Sequence, residues 1–214
     1  MNNTDNYKVT ISMPCWGRPE RTKRAIQSII DQDLVGWEAL IGGDGCPVFQ
    51  QLIDSKWLEE KSLEAAAKGN KIEFTNHVHA GGCGYNVTNM NIHNAKGEYL
   101  VFMANDDFIV PTHLSHYYDY IKESGMDYMF FNSWLDPIQQ IRDSVMAPSQ
   151  IGHSEIIVKT ELAKKAPPHT NVYGHDWDFI SFIRDNGKGR KANSPHVTYN
   201  VMHIPNFGTK DVID

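Results

Sequence analysis

Apolar and polar positions change period repeatedly along this chain. Val9-Thr10-Ile11-Ser12-Met13 is β-branched and apolar, and Pro14 stops it, which predicts a strand. Arg18-Pro19-Glu20 then opens a stretch to about Gln32 with apolar Ala25, Ile26, Ile29 and Ile30 at helical spacing. Trp37-Glu38-Ala39-Leu40-Ile41 predicts a second strand, ending at Gly42-Gly43-Asp44-Gly45. A helical region follows through Leu63 to Ala67, closed by Gly69-Asn70, and Ile72-Glu73-Phe74 predicts a short strand. Gly81-Gly82-Cys83-Gly84 reads as a loop, Tyr85 to Ala95 as a helix, and Tyr99-Leu100-Val101-Phe102-Met103 as a fully buried strand. Beyond Pro111 the pattern predicts a helix to about Ser124 and a strand at Tyr128-Met129-Phe130-Phe131. Residues 132–150 read as irregular. A strand at Ile156-Ile157-Val158, a helix from Tyr173 to Asp185 and a strand at Val197–Val201 complete the series. Strand and helix alternate with short links, which predicts an α/β fold with a mostly parallel sheet covered by helices.

Composition narrows this picture. A chain of 214 residues suffices for one domain with a real core. A net charge of −6 argues against a general nucleic-acid binder, although Lys188, Arg190 and Lys191 form a local basic patch. No stretch approaches the length of a membrane span, and the polar start Met1–Asn6 does not resemble a signal peptide. Cys15, Cys46 and Cys83 share no metal-type spacing, so reduced thiols in a cytoplasmic protein are the expectation.

Candidate chemistry gathers where strands end. Asp106 and Asp107 follow the Tyr99 strand, at the edge where open α/β sheets bind ligands, and adjacent carboxylates suit a divalent cation bridging phosphates. An Asp capping a strand-to-helix turn is the plainer account of the same pair. Asp44 ends the second strand between two glycines. It reads equally as an acceptor for a ribose or base donor, with the glycines admitting a ligand, and as a simple Asp-Gly turn. Asp176 and Asp178 flank Trp177 at a helix start. Two positions apart, they cannot share a face, so one can cap or meet solvent while the other meets a cleft as a general base. Among ten histidines, His175 and His203 stand beside these elements.

Taken in order, the segments resemble family 2 glycosyltransferases of the GT-A fold, over about Val9 to Asn206. Val9–Pro14 with Arg18-Pro19 is similar to the family's first strand and turn, and Gly43-Asp44-Gly45-Cys46 to its Asp-Asp-Gly-Ser. Asn89-Met90-Asn91-Ile92-His93-Asn94-Ala95-Lys96-Gly97-Glu98-Tyr99 resembles its next helix and strand. Ala104-Asn105-Asp106 occupies the place of the metal-binding Asp-x-Asp, with Ala for the first Asp, and His175-Asp176 that of a Glu-Asp pair. Tyr199–His203 resembles a late strand ending in His, and Asn206 an Asn that often follows.

The resemblance implies a single Rossmann-like GT-A domain over 1–214, with a nucleotide-binding half at about 7–110 and an acceptor half at about 111–206. It implies a UDP-sugar donor contacted by Pro14, Arg18, Asp44, Asn89 and Asp106, and a carbohydrate or glycan acceptor. Mn²⁺ or Mg²⁺ would be held by Asp106, Asp107 and His203, and Asp176 would be the base of an inverting transfer. The setting implied is cytoplasmic, the host cytoplasm if the chain is viral. Three other readings stay open: a non-catalytic nucleotide- or carbohydrate-binding module, a sugar nucleotidyltransferase, and a retaining GT-A enzyme. A nucleotidyltransferase would carry a Gly-rich basic loop where Pro14-Cys15-Trp16-Gly17-Arg18-Pro19 stands.

Overall fold

The computed structural model describes residues 6–81, 84–172, 174–194 and 196–202. Strand β1 (Val9–Cys15) leads into helix α1 (Pro19–Ile30), and β2 (Trp37–Asp44) into α2 (Pro47–Asp54) and α3 (Trp57–Ala67). Then come β3 (Lys71–His77), α4 (Tyr85–Asn94), β4 (Tyr99–Phe102), the two-residue β5 (Phe108–Ile109) and α5 (His113–Ser124). The second half holds β6 (Tyr128–Phe130), β7 (Ser133–Leu135), β8 (Gln140–Arg142), β9 (Ile156–Lys159), α6 (Thr160–Ala163), α7 (His175–Asn186), β10 (Gly189–Lys191) and β11 (Tyr199–Val201).

Seven strands form the main sheet in the order β10-β6-β9-β4-β1-β2-β3. Only β9 runs against its neighbours, β4 and β6, so the sheet is mostly parallel, as the alternating pattern predicts. The pleat divides the strand β4 and its continuation between two cores. Tyr99, Val101 and Met103 face the layer that holds Ile26, Trp37 and Phe49. Leu100 and Phe102 face Ile156, Phe179 and Ile183 on the other side. Helix α1 shows why its sequence folds locally. Pro19 supplies the fixed φ of a first helical turn, and Ala25, Ile26, Ile29 and Ile30 present one buried stripe to the sheet. At Gly97 the turn before β4 comes so close to β1 that a Cβ would lie 2.4 Å from the Thr10 amide nitrogen.

Two regions differ from the sequence-based expectation. Residues 132–150 are not irregular throughout, because β7 and β8 pair there and join β11 and β5 in a second sheet of order β5-β11-β7-β8. The helical region after Gly45 is two helices, broken at Ser55-Lys56, where Lys56 takes a left-handed φ of 62°. The small sheet frames the acidic end of β4, since β5 follows Asp107 directly and β11 lies beside β5. No helix among the described residues is long and apolar enough to cross a membrane.

Candidate active site

The carboxyl ends of β1, β2 and β4 lie side by side in register, so Pro14, Asp44 and the Asp106-Asp107 corner share one edge of the sheet. Asp44 is buried, and its carboxylate accepts hydrogen bonds from the Ala80 (2.8 Å) and Gly81 (3.1 Å) amides. His79 Nδ1 approaches the Asp44 carbonyl at 2.7 Å, and its ring packs on exposed Trp16 at 5.0 Å. Asp44 thus holds the 79–81 loop against the sheet edge. The glycines beside it are held close by protein neighbours. Gly45 has φ +65°, and a Cβ there would fall 2.7 Å from the His79 amide nitrogen; a Cβ at Gly43 would fall 2.4 Å from Asn76 Oδ1. Cys46 stands where the resemblance has Ser and does the same work, its sulfur accepting from the Phe49 amide at the start of α2. Burial, then the neighbouring Cys46, pushes the Cys15 thiol well above its ordinary value.

At the acidic corner the two carboxylates have different partners. Asp107 accepts from the Tyr199 hydroxyl (2.8 Å) and from the Met202 amide (2.8 Å), one bond to each oxygen. Burial and the Asp107 charge push the Tyr199 phenol well above its ordinary value, so it stays a donor. Asp106 pairs with Arg18, Nη1 to Oδ2 at 2.5 Å, while Arg24 donates to the Asp106 carbonyl at 2.9 Å and stacks over Phe108. Ala104 brings no ligand. His203, the remaining expected ligand, lies outside the described residues, as does Asn206. Among the described residues no cluster of His, Cys, Asp and Glu is arranged to hold a metal ion. Among the described residues, the divalent cation implied by the resemblance meets one carboxylate that already carries a guanidinium and one tied to β11.

A cavity of about 710 Å³ runs from Pro14, Met103 and Ala104 to Arg142, His175 and Asp176. That volume falls within the range of small-molecule sites. Asp176 lines it from the first turn of α7, while Asp178 is exposed, so the two acids separate as their spacing requires. Arg142 reaches the cavity from β8, its Nη1 3.5 Å from Glu155 Oε2. Glu155 is fully buried and also accepts from Ser133 Oγ (2.5 Å) and the Gly152 amide (2.8 Å).

Three imidazoles meet at this wall, His153 and His175 lining the cavity and His169 behind them. Asn89 does not line the cavity. Its Oδ1 accepts from the His169 amide (2.8 Å) and lies 3.1 Å from His169 Nδ1, and its Nδ2 donates to the His169 carbonyl (2.9 Å). The Asn89 carbonyl requires the hydrogen of His169 on Nδ1, so His169 Nε2 accepts from His153 Nε2–H at 2.7 Å. The His175 ring lies 5.1 Å from that of His169, and its buried Nδ1 has no hydrogen-bond partner among the described residues. Burial, reinforced by the other imidazoles, lowers His169 to about 4 and His153 well below the usual value. His175 is lowered by burial, against the opposing charges of Asp176 and Asp178. Arg142, His153, Glu155 and His169 had no signal in the sequence.

A sheet with these strand ends, a second small sheet at the acidic corner and a cavity between them define the GT-A fold of glycosyltransferases. Two Staphylococcus aureus TarS structures superpose with TM-scores of 0.74 and 0.73 at 18% and 17% identity. They cover 91% and 92% of this chain and 60% and 59% of theirs, and the second is in complex with UDP-GlcNAc. The mannosyltransferase PcManGT of Pyrobaculum calidifontis, in complex with GDP-Man and Mn²⁺, has a TM-score of 0.69 at 13% identity, covering 94% of this chain and 58% of its own. In sequence, the chain is 30% identical over 112 residues to WcaA of Escherichia coli K12, named for glycosyl transfer in colanic acid biosynthesis; this covers 52% of this chain and 37% of WcaA. It is 23% identical over 153 residues to the E. coli β-1,3-glucosyltransferase WfgD, whose name gives UDP-Glc as donor, covering 72% of this chain and 56% of WfgD. The chain thus spans less than two thirds of the length of these relatives. No protein-family model matches it.

Proposed function

We propose that this chain transfers a sugar from a UDP-sugar to an acceptor hydroxyl, with inversion at the anomeric carbon. The observation that carries the reading is the cavity itself. Pro14 and Ala104, on the ligand edge of the sheet, and Asp176, at the start of α7, line this one cavity. The donor's nucleoside lies at the Pro14–Asp44 edge, and residues 7–110 form the nucleotide half. Residues 111–206 supply the acceptor side. TarS with UDP-GlcNAc and WfgD with UDP-Glc in its name support UDP as the nucleotide.

In the reaction the acceptor oxygen attacks the anomeric carbon and its proton passes to an Asp176 carboxylate oxygen. The bond from that carbon to the diphosphate oxygen breaks, and the electron pair leaves with UDP. Asn89 acts from behind, by fixing the His169 loop against His153 and the start of α7. Asp107 anchors β11 to the end of β4. No step is assigned to a metal, because the described donors do not form a cation site.

The test is Asp176→Asn beside Asp178→Asn, with a UDP-sugar and its acceptor. Loss of a positioned base lowers kcat by about 10²–10⁴. UDP affinity by calorimetry stays at the wild-type value, and Asp178→Asn turns over normally. Wild-type turnover in Asp176→Asn refutes the assignment.

A further inference from the structure

We propose that Arg18, held on Asp106, supplies at the donor diphosphate the positive charge that a divalent cation would otherwise bring, so that this chain binds its nucleotide without metal. The inference rests on the nucleotide-binding reading above and deepens it.

Four observations converge at one corner. Where the resemblance has a first metal-binding Asp, the chain has Ala104, on the cavity wall. Each oxygen of the Asp107 carboxylate is bonded to the β11 segment. That leaves Asp106, whose charge is matched by Arg18 at 2.5 Å. The pair is asymmetric, since the Arg18 side chain is 28% exposed and the Asp106 side chain 5%. The guanidinium is therefore the more exposed member of the pair. Its planar fork matches phosphate oxygens, and the buried carboxylate behind it keeps it aimed. A divalent cation would have to share Asp106 with that fixed positive charge.

Backbone and charge distribution agree. Arg18 sits at the carboxyl end of β1 with φ 50° and ψ 61°, a left-handed conformation unfavourable to a side chain, directly after Gly17 with φ 59°. Asn105 pins this turn through the Trp16 carbonyl (3.3 Å) and the Thr22 hydroxyl (2.7 Å). Strain that is over-determined in this way marks positions held for a purpose. Residues 18–24 contain Arg18, Arg21, Lys23 and Arg24 against Glu20 alone, a local charge of +3 in a chain of −6. Arg24 ties the Asp106 backbone to the same helix. These groups lie in and around the first two turns of a twelve-residue helix, and Arg18 at its N-cap stands where the helix dipole also favours an anion.

The experiment is calorimetric titration of UDP into the full chain, once in excess EDTA and once with Mn²⁺, for wild type, Arg18→Gln and Arg18→Lys. Wild type should bind UDP with affinities within about threefold in the two buffers, because the fixed charge is already present. Arg18→Gln should weaken binding about tenfold or more in both, and Arg18→Lys should recover part of the loss. An affinity that rises more than about tenfold when Mn²⁺ replaces EDTA in wild type overturns the inference while leaving the UDP-sugar reading intact. Unaltered binding in a folded Arg18→Gln overturns it as well. Absence of UDP binding by wild type in both buffers overturns the UDP-sugar reading itself. The wild-type comparison needs no variant to fold.

Discussion

His113 and His169 are both buried, and both are held neutral in the fold, at about 3 and about 4, by burial first and by a neighbouring imidazole second. In the unfolded chain each returns to a value near 6.5. Above pH 6.5 both states are neutral and neither histidine contributes to the pH dependence. Below it the unfolded chain takes up protons that the fold refuses, so stability falls as pH falls until the folded values are reached. At pH 5 each has been depressed across about 1.5 pH units, worth about 2 kcal/mol, or about 4 kcal/mol for the pair. That is a large share of a typical total of about 5–15 kcal/mol. His153, also lowered, adds in the same direction. Carboxylates lowered by ion pairs, such as Asp127 on Lys159, lose their stabilisation only nearer pH 4 and below, outside this window. The assay is denaturant unfolding at intervals from pH 7 to pH 5, read as the slope of stability against pH. A slope of at least two protons is expected between pH 6 and pH 5, reduced by about one in His169→Gln whatever that variant's absolute stability. A flat profile, or a His169→Gln slope equal to wild type, would mean that these imidazoles are solvated or charged in the fold.

Asp44→Ala should weaken UDP binding by about 1–3 kcal/mol in calorimetry, because it removes a buried acceptor and frees the 79–81 loop at the nucleoside edge. Wild-type affinity would remove Asp44 from the site. Asp107→Asn should lower unfolding stability by about 1.5–3 kcal/mol, as one hydrogen bond to a charged carboxylate becomes neutral and the amide NH₂ replaces the acceptor of the other. Retention of full stability would show that the carboxylate is not what holds β11.

What was legible in the sequence was set by short-range periodicity. The alternation of Val9–Met13, the continuous apolar run of Tyr99–Met103 and the helical stripe of Ala25, Ile26, Ile29 and Ile30 each encode burial locally, and each element formed where expected. The separation of Asp176 from Asp178 was also legible, since helix geometry alone puts them on different faces. The small sheet was not. Its strands are two or three residues long, Pro137 interrupts them, and β7 finds its parallel partner in β11, more than sixty positions away. Pairings of that kind leave no periodic trace. The same holds for Arg18 with Asp106, separated by 88 positions, and for the histidines, which come from a turn, a loop and a helix start. The glycines flanking Asp44 were legible as close-approach positions, but what approaches them is the His79 loop and the Asn76 side chain.

The two departures from the resemblance at the cavity have one electrostatic sense. Ala104 stands in place of an Asp, and His175 in place of a Glu, so the wall lacks two carboxylates that the resemblance implies. Burial lowers the pKa of His175, which favours the neutral ring near pH 7. Of the described residues lining the cavity, Asp176 is then the one formal anion and Arg142 the one formal cation, the latter balanced from behind by Glu155. A diphosphate entering a cavity with two more carboxylates would need a cation to screen them. On the proposed reading, one entering this cavity would meet little repulsion, and at the adjoining corner it would meet α1 with its excess of positive charge. Loss of the first Asp, loss of the Glu and the placing of Arg18 on Asp106 therefore belong together. Ala104→Asp should run against that arrangement: it should weaken UDP binding in EDTA and make the affinity depend on added Mn²⁺. An Ala104→Asp variant that binds UDP as wild type does in EDTA would separate Ala104 from the phosphate site.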